Sequence, residues 1–165
     1  MGVSVLHKIV WFVTLVLVQA LIFNKIYLFG YATPFVYIYF LLKIDSGISR
    51  NALMIWAFAI GLCVDIFSNT PGINAAAAVL LAFMRPVYLQ LFTPRDTQDS
   101  IVPSSRSMGV SSFIKYLFVS VLTHHILLFC IMFFSFADII TLILKIVSST
   151  ILTVVFILAF ESVRK

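Results

Sequence analysis

Apolar runs long enough to cross a bilayer recur along almost the whole chain, and they constrain its fold more than any motif does. A membrane-spanning helix needs about 20 predominantly apolar residues. Such runs fall at 8–24, 26–43, 52–69, 72–92, 113–136 and 139–161. The expected fold is therefore an all-α integral membrane protein, a bundle of about six transmembrane helices forming one polytopic domain over 1–165. Composition agrees: with 62% hydrophobic and only 10% charged residues, a chain of 165 residues could hardly cover the surface of a soluble domain.

The second run is the weakest as a helix. It carries Gly30 and Pro34 and follows the first after only Asn24 and Lys25. Proline is tolerated in a membrane helix when neighbours re-satisfy the freed carbonyl. Ile26 to Leu42 contains no charge and would be costly to hold in water, so it is taken as a span. The first run has a basic start at His7 and Lys8, and Val18-Gln19-Ala20 faintly resembles a cleavage site, but apolar residues continue beyond it. An uncleaved first span is expected.

With six spans, Lys8, Lys43, Arg50, Arg95, Arg106, Lys115, Arg164 and Lys165 fall on one side and Lys25 alone on the other. The crowded side is cytoplasmic by the positive-inside rule, which places both termini inside. That bias also accounts for the net charge of +5 without invoking nucleic acid. It does not choose between five and six spans, because without the second span Lys8 and Lys25 merely exchange sides. The one substantial polar segment, 93–112, reads as an irregular cytoplasmic loop. Cys63 and Cys130 lie in apolar runs, as small buried hydrophobes do.

Polar residues at membrane depth are the candidate functional positions. Asp65 is the clearest. Ala57, Gly61 and Asp65 recur every fourth residue on one helix face, ahead of the turn Ser68-Asn69-Thr70-Pro71-Gly72. Small residues there let another helix approach closely. Thr70 or Asn69 is expected to cap the next helix, with Pro71 in its first turn. Asp65 either accepts hydrogen bonds from that turn or pairs with Lys145, which lies at a comparable depth in the last span. Gly72, Ala75, Ala78, Ala82 and Arg85 form a second small-residue stripe ending in a cation. Arg85 is expected to reach toward cytoplasmic water or headgroups, the alternative being a polar contact with a partner helix. His124 and His125 point about 100° apart on their helix, unsuited to chelating one metal, and read as hydrogen-bonding groups between helices.

No nucleophile elbow, zinc-binding helix motif or phosphate-binding glycine loop occurs. An intramembrane aspartyl protease would need Asp65 and Asp138 brought together, with no motif to support it. Neither catalysis, nor a metal, nor a cofactor is expected.

The stretch GLCVDIFSNTPGINA resembles the signature of the rod-shape-determining membrane protein family MreD. In that signature a Gly-Leu pair precedes an aspartate, a polar turn, a glycine and a small-residue helix. The matching positions are Gly61, Leu62, Asp65, Gly72 and Asn74. MRPVYLQLFTPRD, the His124-His125 pair and Phe134-Ser135-Phe136 look like the form of the family found in Bacteroidota. The resemblance implies a multi-pass, non-enzymatic inner-membrane component of the cell-elongation machinery, similar in outline to the vitamin-binding subunits (S-components) of energy-coupling-factor transporters. It implies work with MreC, MreB, RodA and a class B penicillin-binding protein in directing peptidoglycan insertion. Asp65 and its turn would shape the outer end for MreC. The rival expectation is a substrate-binding membrane subunit of a small-molecule, vitamin-type transporter, using Asp65, Asn74 and the histidines on a ligand.

Overall fold

The computed structural model describes residues 5–28, 30–93, 100–133 and 138–163. Arg95, the Phe134-Ser135-Phe136 run, Arg164 and Lys165 lie outside the described residues, as do 94–99 of the polar loop. Among the described residues the architecture is all helical. Its helices are α1 (Val5–Leu21), α2 (Ile38–Lys43), α3 (Arg50–Ser68), α4 (Ile73–Phe92), α5 (Ser105–Met108), α6 (Val110–Met132) and α7 (Ile139–Val163). Five of these are long and apolar enough to cross a membrane: α1 together with the 3-10 turn Phe23–Lys25, and α3, α4, α6 and α7. Each begins and ends within about a turn of its expected span.

The exception is 26–43, which is not a continuous helix. Leu28 and Ala32 exchange backbone hydrogen bonds of 2.9 and 3.0 Å across a tight turn. Gly30 sits in that turn at φ +77°, a conformation only glycine adopts without strain. The chain then runs back through the bundle without helical structure until Ile38, where the short α2 begins. Contacts with Ser149, Thr153 and Glu161 in turn carry this return segment about 18 Å along α7. It is the most deeply buried part of the protein: Val36 to Leu42 are all at or below 3% exposed. Among the described residues five helices are of spanning length, and the expected sixth, 26–43, is instead a return segment that ends in the short α2.

A non-helical backbone at this depth leaves amides without intrahelical partners, and each must be satisfied by protein. Here side chains do it. The Gln19 Oε1 accepts from Val36 N at 2.8 Å and Tyr37 N at 3.3 Å, while its Nε2 donates to the Pro34 carbonyl at 3.0 Å. Thr33 N donates to Ser149 Oγ, and Phe35 N to Thr153 Oγ1. Aromatic rings seal the rest, with Trp11 against Tyr39, and Phe12 and Trp56 against Phe40.

Helices α3 and α4 form a tight hairpin. A Cβ on Gly61 would stand 2.5 Å from Ala75 Cα, so the absence of a side chain is what allows the two backbones to meet. α4 also packs on α6, and α6 on α7. The ends of α1 and α7 share one end of the bundle, where His7, Lys8, Arg106 and Glu161 surround one cavity. The polar loop is more structured than expected. Ile101 exchanges hydrogen bonds with Ser46, and Ser104 and Ser107 form a reciprocal capping box on α5.

Candidate functional site

Asp65 caps a helix that is not its own. Its Oδ2 accepts from Ala75 N at 2.9 Å, and its Oδ1 accepts from Asn74 N at 3.0 Å, Asn74 Nδ2 at 2.9 Å and the Thr70 hydroxyl. A helix N-terminus leaves its first amides unpaired and carries partial positive charge, so a buried carboxylate is well matched to it. The expected capping by Thr70 or Asn69 is corrected accordingly. Asn69 instead closes α3 in the left-handed conformation at φ 53°, donating its amide to the Asp65 carbonyl, and Gly72 at φ 79° leads into α4. Pro71 precedes the helix and lies outside its first turn.

The same geometry rules out the ion pair with Lys145. The Asp65 carboxylate faces α4, whereas the Lys145 ammonium lies 4.5 Å from the Phe133 ring centroid and 5.8 Å from that of Tyr27. Among the described residues the sole ion pair is Lys43–Glu161, at 2.9 Å, with Tyr39 donating to the same carboxylate at 2.6 Å. It ties α2 to the end of α7. Sequence alone did not reveal that pair, because Lys43 and Glu161 lie 118 positions apart.

Arg85 departs from expectation as well. It is 1% exposed and does not reach water. Its guanidinium donates to Tyr116 Oη at 3.1 Å and to the carbonyls of Leu42 and Ile44, where α2 ends. Tyr116 donates to the Leu42 carbonyl at 3.2 Å. A planar fork with several donors suits a helix C-terminus, whose last carbonyls lack partners. Arg85 is thus a cap for the broken second passage, and the polar-contact alternative is the one realised.

The histidines stand at the centre. His124 Nε2 lies 2.8 Å from Tyr37 Oη, which is 3.4 Å from both the carbonyl and Oδ1 of Asn74. His125 Nδ1 donates to the Val121 carbonyl at 2.7 Å, which leaves Nε2 to accept from Thr153 Oγ1 at 3.4 Å. The two rings are nearly perpendicular, at 85°, and serve different neighbours. One continuous polar chain results, Asp65–Asn74–Tyr37–His124, joining α3, α4, the return segment and α6. A second, Phe35–Thr153–His125, joins the return segment to α7 and α6.

Of the positions singled out in the sequence, Gly61, Asp65, Asn74 and His124 therefore meet in one assembly, Gly72 sets its turn, and His125 lies beside it. Arg85 serves the opposite end, and Lys145 makes no hydrogen bond to the assembly but lines a cavity together with Asn74. Gln19 and Tyr37 escaped sequence reasoning as site residues. Gln19 did carry a signal, as a lone amide in an otherwise apolar span. Hydrogen bonds between elements hold this assembly together, and His124 Nδ1 has no hydrogen-bond partner among the described residues. Asp65 and Asp138 do not form a dyad: Asp138 is held at the start of α7, where the Thr141 hydroxyl, then the Thr141 amide, keeps its pKa below the usual carboxylate value. Both cysteines are free thiols. In comparisons with known proteins, no family model, no curated protein and no solved structure matches this chain.

Proposed function

We propose that this chain is a non-enzymatic subunit of the bacterial cell-elongation machinery, of the MreD type, docking MreC and, through it, MreB, RodA and a class B penicillin-binding protein. One observation carries the reading: four of the five signature positions, Gly61, Asp65, Gly72 and Asn74, act together as a structural unit. Gly61 admits the α4 backbone, and Asp65 and Asn74 lock the α3–α4 hairpin. A rigid hairpin end stiffened by a buried carboxylate serves as a docking platform, and its donors and acceptors are already mutually satisfied. Lys8 and Arg106 at the end shared by α1 and α7 support an orientation with both termini in the cytoplasm of an inner-membrane protein.

The test is recovery of MreC with the tagged chain from native membranes. Asp65→Ala should lower MreC recovery several-fold while insertion persists; undiminished recovery rejects the docking role. A cavity at the end opposite the termini favours the second reading, a substrate-binding subunit of a transporter. Under that reading native mass spectrometry of the purified chain shows a retained small molecule, and MreC recovery is indifferent to Asp65.

A further inference from the structure

A cavity of about 410 Å³ opens at the end of the bundle opposite the chain termini. That volume falls in the range of small-molecule sites, about 300–1,000 Å³. Among the described residues that line it are two cations, Lys25 at the end of the 3-10 turn and Lys145 on α7, and no acidic residue. Among the described residues neither lysine has an ion-pair partner. Lys145 is held only over the faces of Phe133 and Tyr27. The carboxylates nearest in the fold are already engaged. Asp65 lies behind Asn74 with donors on both oxygens, and Asp138 is bonded to Thr141. The walls are apolar and aromatic, from Phe35, Phe67, Phe129 and Met132, while Asn74 and Thr70 add polar groups.

A lysine this far along a spanning helix, without a counter-charge, is costly. An anion between the two ammonium groups would offset that cost, and the aromatic wall would take an apolar group. We propose that this cavity binds an anionic amphiphile, with a phosphate or carboxylate head between Lys25 and Lys145 and an apolar body against Phe35, Phe67 and Phe129. The site does not depend on the docking role proposed above, and its loss would leave MreC recovery unchanged.

Isothermal titration of the full chain in dodecyl maltoside with dihexanoyl phosphatidic acid tests it. Saturable binding is expected, weakened about tenfold by Lys145→Gln, as loss of one charge-assisted contact implies. Lys145→Arg should retain affinity, which separates charge from folding. Arg106→Gln, at the opposite end, should leave it unchanged. Dihexanoyl phosphatidylcholine, with the same tails and no net charge, should bind about tenfold more weakly. Inorganic phosphate should also bind more weakly than the amphiphile, and equal affinity would overturn the apolar half of the site in favour of a free anion. Absence of saturable binding, indifference to headgroup charge, or weakening by Arg106→Gln but not by Lys145→Gln would overturn the assignment altogether.

Discussion

The carboxylate of Asp65, near the end of α3, accepts the backbone amide of Ala75, in the first turn of α4, at 2.9 Å. One side chain thereby completes the N-terminus of a neighbouring helix inside an apolar bundle. Asp65→Ala removes the acceptor of four donors, the amides of Asn74 and Ala75, the Asn74 side chain and the Thr70 hydroxyl. Hydrogen bonds to a charged acceptor contribute roughly 1.5–3 kcal/mol each before relaxation. A net loss of about 3 kcal/mol is expected, read as an earlier unfolding midpoint in a dodecyl sulfate titration. Asp65→Asn keeps one of the two acceptor oxygens and should lose about half as much; identical midpoints for Ala and wild type would contradict the capping role.

Gln19→Leu should be among the most damaging substitutions in α1. Val36 N and Tyr37 N lose their acceptor at a depth where no water replaces it. Each unsatisfied buried amide costs about 1–3 kcal/mol. Hydrogen exchange at residues 35–38 should accelerate by at least about tenfold, while amides within α3 remain protected. Uniform acceleration everywhere would mean that Gln19 matters only to global stability.

Gly61→Ala tests the close approach of α3 and α4. The added methyl meets backbone atoms at 2.5–2.8 Å, and those cannot turn aside as a side chain could. Overpacking of this kind costs about 1–3 kcal/mol. A spin-label pair on Ile66 and Val79 should report a wider interhelical distance in the variant than in the native chain.

Arg85→Lys preserves the charge and discards the fork. A lysine cannot serve Tyr116 and the Leu42 and Ile44 carbonyls with the same planar geometry. The segment 44–49 should then become several-fold more susceptible to limited proteolysis, and Tyr116→Phe should show a weaker effect in the same direction. Equal cleavage in Arg85→Lys and the native chain would show that charge alone holds α2.

Much of this architecture was legible in advance. The long apolar runs marked α1, α3, α4, α6 and α7 because hydropathy over about 20 residues is a local property. The small-residue spacing around Gly61 marked a face on which another helix could pack closely, because helical periodicity converts spacing into a face, but not which helix. The partners of the polar side chains were not legible. Asp65 and Lys145 share a depth, but α3 packs on α4 and α1, while α7 packs on α6. Depth along an axis is readable from sequence; azimuth around a bundle is not. Arg85 was misjudged for the same reason. Snorkelling is the solution for an isolated helix, and here the broken second passage offers carbonyls that no sequence window contains.

Alone, the order of residues determined that this is a membrane bundle, where its long helices lie, and which few hydrophilic groups must be accommodated within it. Only the tertiary structure decided that the second passage abandons its helix between Ile26 and Tyr37. The amides freed there are taken up by Gln19, Ser149 and Thr153, the last two more than a hundred positions away along the chain. An unwound backbone survives in an apolar interior when distant side chains satisfy it, and that condition is met only once the bundle has closed around it.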